Sequence, residues 1–434
     1  MQRRILYLFL IASLIGIVFL SKLVFSDCFV LFEGNNIVEY LYKKRILEIL
    51  IILILLTLTL RLAWEIVSKE IWKNIFMSIY VLLNFVLVGE LTMMFVPISQ
   101  GDGKALSARL WFSYYWRLNK YGFRDYDYDV RKLVSDSTEV IALIGDSFTE
   151  GHGVKYPKDR FSDILRKKLP QETILNLGKN GFNTLQEMNL MGSLPFQSKW
   201  IIVSHFSNDI DYLLPKTPEI ASRDQNEGHN YFFIVDKVIE YLNSSSFLFS
   251  NIYSEWLLVK QKFEFDTKAI PQDGTIKEIE KGLQHKFHLK VLPTIEDIMN
   301  NDSMMYFIQK NYWIKIKGNS PLSTQDLFLI DTIVDKHISN FVTVNNACDS
   351  ADIKLLVILF PETGENINTV GRIINENMRD ALQQNHIEVI DLYPIIKDLP
   401  LKDRITNKFD VHPNVKVHKR VADTLYRYLV NHGI

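Results

Sequence analysis

Cysteine is nearly absent from this chain of 434 residues. Cys28 and Cys348 are the two it has, and they stand far apart. They make neither a C-x-x-C pair nor a disulfide framework, so cysteine usage says little about redox compartment. A charge excess is missing as well. Lys and Arg number 49 against 50 Asp and Glu, a net charge of −1, which gives no sign of a nucleic-acid partner. No internal repeat is visible. No metal motif stands out either: His285 and His288 in "HKFH" have no companion carboxylate motif and read as a solvated helix face. No cofactor is expected. The G-x-S-x-G elbow of α/β-hydrolases is also lacking.

What is abundant is apolar sequence, 47 % of residues, concentrated in the first hundred. Three runs stand out: Ile5–Leu20 after Arg3 and Arg4, Ile49–Leu60, and Ile75–Val96 before Pro97. The first extends to about 20 residues, enough to cross a bilayer. A cleavable signal peptide is the rival reading, but no small-x-small site lies near residue 26. The second run is short and spans only with Glu48 and Arg61 at the interfaces. The third is interrupted by Asn84 and Glu90. An intramembrane Glu invites a functional reading; the plainer alternative is a Glu facing another helix. Arg3 and Arg4 favour a cytoplasmic N-terminus, so three spans would put everything after residue 100 outside the cytoplasm. Lys43, Lys44 and Arg45 argue the other way. The expectation is a membrane anchor over 1–100, with about three transmembrane helices.

From residue 101 onward the pattern is α/β. Strands are expected at "VIALIG" (140–145), "TILNLG" (173–178), "WIIVSHF" (200–206), "IKLLVILFP" (353–361) and "IEVIDLYP" (387–394). Helical spacing covers "DRFSDILRKKL", "TLQEMNLMGSL", the stretch around Arg372–Gln384, and Val415–Leu429. Alternation of this kind implies a largely parallel sheet with helices on both faces. The middle, about 211–330, breaks the rhythm and reads as a large mixed insertion over the site.

Chemistry-bearing residues fall just past these strands, where open α/β sheets place their sites. "GDSFTEG" carries Ser147, "NLGKNGFNT" carries Gly181, "FSND" carries Asn208, and "DVHPN" carries Asp410 and His412. Each alone has a plain reading as a turn or a helix cap. Their joint occurrence, in this order, points to nucleophilic catalysis by serine.

The set resembles the SGNH, or GDSL, hydrolase superfamily over about residues 120–210 and 350–434. The upstream "LNKYGFRD" is similar to a segment in membrane-attached bacterial members. The resemblance implies a flavodoxin-like three-layer α/β/α domain. It also implies a Ser147 nucleophile, a His412 general base and an Asp410 that orients it. The oxyanion hole would be the Ser147 amide, the Gly181 amide and the Asn208 side chain. Such a division suits the chemistry, because a serine hydroxyl needs a base and the base needs a carboxylate on its other nitrogen. Gly181, lacking a side chain, would let the backbone approach closely. The family's third block is Gly-x-Asn-Asp; here Phe206 replaces that glycine, which puts pocket width and the tilt of Asn208 in doubt.

The expected activity is hydrolysis of O-acyl esters on a small molecule, cell-envelope glycan or lipid by a multi-pass membrane protein. An O-acyltransferase using the same residues and a non-enzymatic membrane scaffold are the alternatives.

Overall fold

The computed structural model describes residues 38–93, 96–101, 105–135, 140–214, 231–265, 273–289, 301–317 and 323–434, with a few isolated positions besides. The chain divides into two compact units. One comprises Met1–Tyr114 with Thr217–Lys262, the other Tyr115–Lys216 with Phe263–Ile434. The first unit thus takes in residues up to 114, and residues 217–262 group with it by contact, while 263–330 group with the second.

In the second unit, five strands form one parallel sheet: β1 (Val140–Gly145), β2 (Thr173–Gly178), β3 (Ser198–His205), β4 (Lys354–Leu359) and β5 (Val389–Asp391). Their order is β2-β1-β3-β4-β5, the flavodoxin-like order. The α/β fold with a largely parallel sheet is therefore observed. Alternate side chains enter opposite layers, as the pleat requires. Ala142, Ile144, Val203 and Val357 join one core with Val334, Ile338, Ile374 and Met378 from the helices Asp331–Ser350 and Val370–Gln384. Ile141, Leu143, Ile202 and Leu356 join the other, with Phe161, Leu165, Val421 and Leu425 from Phe161–Lys168 and Val415–Asn431. The central strands are buried on both faces, which is why they read as unbroken apolar runs.

The last motif differs from expectation. "DVHP" is not a loop: β7 (Asp410–Pro413) pairs antiparallel with β6 (Ile405–Asn407). Positions i and i+2 of a strand share a face, so Asp410 and His412 lie together while Val411 between them is exposed.

In the N-terminal unit, the run Ile5–Leu20 lies almost wholly outside the described residues. The run Ile49–Leu60 lies within a helix Val38–Ile66, and Ile75–Val96 lies mostly within a helix Glu70–Met93. Among the described residues only Glu70–Met93 combines the length and apolarity for a crossing, with mean hydropathy 1.9 over its best window. The run Ile5–Leu20 lies outside that comparison, and Ile49–Leu60 lies in the helix Val38–Ile66 with Arg61 and Glu65 following the run. Polar side chains in these helices bond their own backbone: Thr57 to Leu53, Thr59 to Leu55, Asn84 to Tyr80 and Thr92 to Val88. Such back-bonding satisfies a hydroxyl or amide where water is scarce. Glu90 takes the plainer of its two readings. It is buried and accepts bonds from the Ser246 hydroxyl and the Phe247 amide (2.9 Å), capping the helix Phe247–Phe265.

Candidate active site

Ser147 opens the helix Ser147–Glu150, two residues past the end of β1. Asp146 caps that helix, its carboxylate accepting from the Phe148 amide at 2.8 Å. The turn holds together because glycine allows the neighbouring strand to press against it. A Cβ on Gly178, at the end of β2, would meet the Glu150 nitrogen and stand 2.7 Å from the Thr149 carbonyl carbon.

Three of the expected residues are brought into series. His412 Nε2 lies 2.9 Å from Ser147 Oγ. His412 Nδ1 lies 2.5 Å from Asp410 Oδ1, which also accepts from the His412 amide at 3.2 Å. Asp410 is fully buried and Ser147 nearly so. The Thr363 hydroxyl bonds the Val411 carbonyl, fixing the strand between the two.

The other two residues lie at the adjoining strand ends. Gly181 sits in the turn Lys179–Phe182 with φ of 77°. A Cβ there would meet no protein atom within 4 Å, so within the chain itself the glycine answers the left-handed backbone. Asn208 lies in the 3-10 helix Ser207–Leu213, its side chain hydrogen-bonded to Asp146. Phe206 stacks on Phe148 with centroids 3.9 Å apart, and Phe148 in turn leans on His412 at 5.4 Å. The bulky departure therefore extends an aromatic wall beside the imidazole.

Other residues of the site have no motif to mark them. The His152 ring stacks on His412 at 4.0 Å and 18°, and its Nε2 lies 3.7 Å from Asp410 Oδ2. His152, Asp410 and His412 group their donor atoms closely enough to suggest a metal. Two nearly parallel imidazoles, however, send their in-plane lone pairs side by side, not to one point. A tetrahedral ion held at about 2 Å by each nitrogen needs convergence. Both nitrogens of His412 are also engaged by Ser147 and Asp410.

Behind the turn, the "GFRD" segment acts as a brace. Arg124 bonds the carbonyls of Gly151 and Val154, and Arg160 bonds the carbonyl of Arg124. Asp125 accepts from Arg166 (2.9 Å) and the Asn176 amide (2.8 Å). Burial pulls Arg124 down to about 9.

Beside Ser147 lies a group of buried acids, two of them inside the quoted motifs and the third, Glu187, outside any. Asp146, Glu187 and Asp209 are all inaccessible to solvent. Burial raises all three. Repulsion from Asp146 adds to the shift of Glu187, and repulsion from Glu187 and Asp146 adds to that of Asp209. Glu187 and Asp209 are thus held well above the ordinary carboxylate value, because burial disfavours their charged forms. Asp146 is held back first by the Phe148 amide, and its Oδ2 lies 3.3 Å from Ser147 Oγ. Glu150 is pushed to about 7, chiefly by burial.

No protein-family model matches the chain, and no curated protein matches it. Solved structures do resemble it loosely. An acetylxylan esterase from Geobacillus stearothermophilus is 12 % identical, with 68 % of this chain and 95 % of that one covered and a TM-score of 0.32. A lipolytic protein of the G-D-S-L family from Veillonella parvula is 10 % identical, with 68 % and 100 % covered and a TM-score of 0.31. An esterase from Pseudoalteromonas is 9 % identical, with 67 % and 98 % covered and a TM-score of 0.31. Superpositions this loose, at identities this low, transfer neither activity nor substrate.

Proposed function

We propose that this protein is a serine esterase of SGNH type, attached to a membrane and hydrolysing O-acyl esters of a cell-envelope glycan or lipid. The observation that carries the reading is the series Ser147 Oγ, His412 Nε2 and Nδ1, Asp410 Oδ1, with contacts of 2.9 and 2.5 Å at the mouth of β1. Ser147 Oγ attacks the acyl carbon while its proton passes to His412. Asp410 holds the imidazole in the required tautomer and stabilises its charged form. The oxyanion is received by the Ser147 and Gly181 amides and by Asn208. Collapse breaks the ester C–O bond, and the leaving alkoxide takes the proton from His412. Water then attacks the acyl-serine, giving its proton to His412, and the carboxylic acid departs as Ser147 is restored.

A fluorophosphonate, which is attacked by an activated serine, tests this directly. The wild type should be labelled and Ser147→Ala should not. Equal labelling of both overturns the assignment, and a folded wild type that resists labelling makes the chain a scaffold. With a sugar acceptor present, acylated acceptor among the products would make it a transferase.

The helix Glu70–Met93 and the arginines before the first apolar run support a membrane-bound protein with its catalytic unit outside the cytoplasm. Alkaline phosphatase fused after residue 434 should be active in a bacterial host. A well-expressed but inactive fusion reverses the topology.

A further inference from the structure

The helix Phe247–Phe265 has its polarity turned inside out. Its buried positions include Ser250 and Ser254, with Ser244, Ser245 and Ser246 buried just before it. Its exposed positions include Ile252 and Trp256, 58 % and 49 % accessible. A helix on a water-soluble surface does the reverse. Small hydroxylic residues inside and large apolar ones outside are the arrangement of helices packed in lipid.

Three contacts tie this helix to the apolar helix Glu70–Met93 and the segment after it. Glu90 accepts the Phe247 amide and the Ser246 hydroxyl, and the Gln100 amide donates to Ser254 Oγ at 3.0 Å. The serines complete themselves on their own backbone, Ser250 to Phe247 and Ser254 to Ser250. Glu90 is three residues from the end of its helix, which at 1.5 Å per residue is about 5 Å. The docked end of Phe247–Phe265 therefore sits near the level where a spanning Glu70–Met93 would leave the hydrocarbon. From there the helix runs alongside the outgoing chain, towards Gln100. Phe249, Tyr253 and Trp256 form an aromatic ladder at 5.8 and 5.5 Å, the residue types that settle at the headgroup boundary. Glu255 is exposed beside them, as suits a helix lying at the surface and not crossing it.

We infer that the segment around 247–258 is a membrane-surface element. Ile252 and Trp256 enter the boundary between headgroups and acyl chains at the Glu90 end of Glu70–Met93. The inference rests on the membrane reading above, and the test separates the two. Cysteines are introduced singly at Ile252, Trp256, Leu82 and Ser350 in the full chain, with Cys28 and Cys348 replaced by Ala. Each is labelled with an environment-sensitive fluorophore and reconstituted in phosphatidylcholine–phosphatidylglycerol vesicles containing lipids spin-labelled at shallow or deep acyl positions. Leu82, exposed at the middle of its helix, should be quenched best by the deep label. Labels at Ile252 and Trp256 should be quenched at least two-fold more by the shallow label than the deep one, and Ser350 by neither. Quenching at Leu82 with none at Ile252 and Trp256 overturns the inference. So does equal quenching at Ile252 and Ser350. Absence of quenching at Leu82 overturns the membrane reading itself.

Discussion

Asn208 has two amide N–H groups. Its side chain is hydrogen-bonded to Asp146, and the proposed mechanism gives it a second task at the oxyanion. Its side chain is no part of the apolar cores, so Asn208→Ala should melt within a few degrees of the wild type. Its kcat on an ester cleaved through Ser147 should fall about 10²–10³-fold, the usual cost of one lost oxyanion donor, while KM changes little. An unchanged kcat would remove Asn208 from the site. Residue by residue, the chemistry was legible where it rests on residue type and short spacing, as in Asp410-x-His412. His152 and Glu187 were not legible. A histidine in "EGHGV" and a glutamate in a helical stretch look ordinary until the fold lays one on His412 and seals the other from water.

At the scale of elements, the site depends on how closely β2 approaches the turn after β1. Gly178→Ala would drive a methyl group into the backbone of Thr149 and Glu150, and backbone cannot swing away as a side chain can. The helix Ser147–Glu150 must then shift. A misplacement of about 1 Å at a reacting group costs on the order of 10²-fold, so fluorophosphonate labelling should slow by about that factor in Gly178→Ala. Gly192→Ala, which meets nothing within 4 Å, is the control and should label normally. Equal rates for the two variants would mean that the turn tolerates the methyl. The strands at 140–145 and 173–178 were legible to the residue because burial on both faces writes itself as an uninterrupted apolar run. The pair β6–β7 was not, because three or four residues carry no period. Only its partner strand makes it a strand.

Across the whole second unit, buried titratable groups set opposing pH limits. Burial lowers His205 and His418 to about 3 and takes His337 well below its ordinary value. These remain neutral when folded: His337 bonds His205 at 3.0 Å, and His418 accepts the Phe161 amide. The unfolded chain binds their protons below about pH 6.5, so their contribution is lost on acidification. Glu150, Glu187 and Asp209 are raised, so their contribution is complete below about pH 4 and is lost as pH climbs through the folded values. For Glu150 that is about 7. Stability should therefore be greatest in mild acid, between about pH 4 and 6.5, and decline on both sides. Hydrogen exchange of the β1 and β3 amides across a pH series, corrected for intrinsic rates, reads this. Glu150→Gln should flatten the decline through pH 7. A wild type whose protection rises steadily to pH 8.5 would contradict the assignment.

The sequence by itself determined the α/β alternation, the central strands, and the residue types that end beside one another. Those properties follow from local periodicity and from the rule that sheet chemistry gathers at strand carboxyl ends. The tertiary structure decided what no local window contains. It grouped 217–262 with the N-terminal unit through Glu90 and Gln100. It set His152 against His412, and buried three carboxyl groups beside the serine. Each of these depends on contacts between residues distant in sequence, and the free energy of burying a charge is fixed only once its surroundings are.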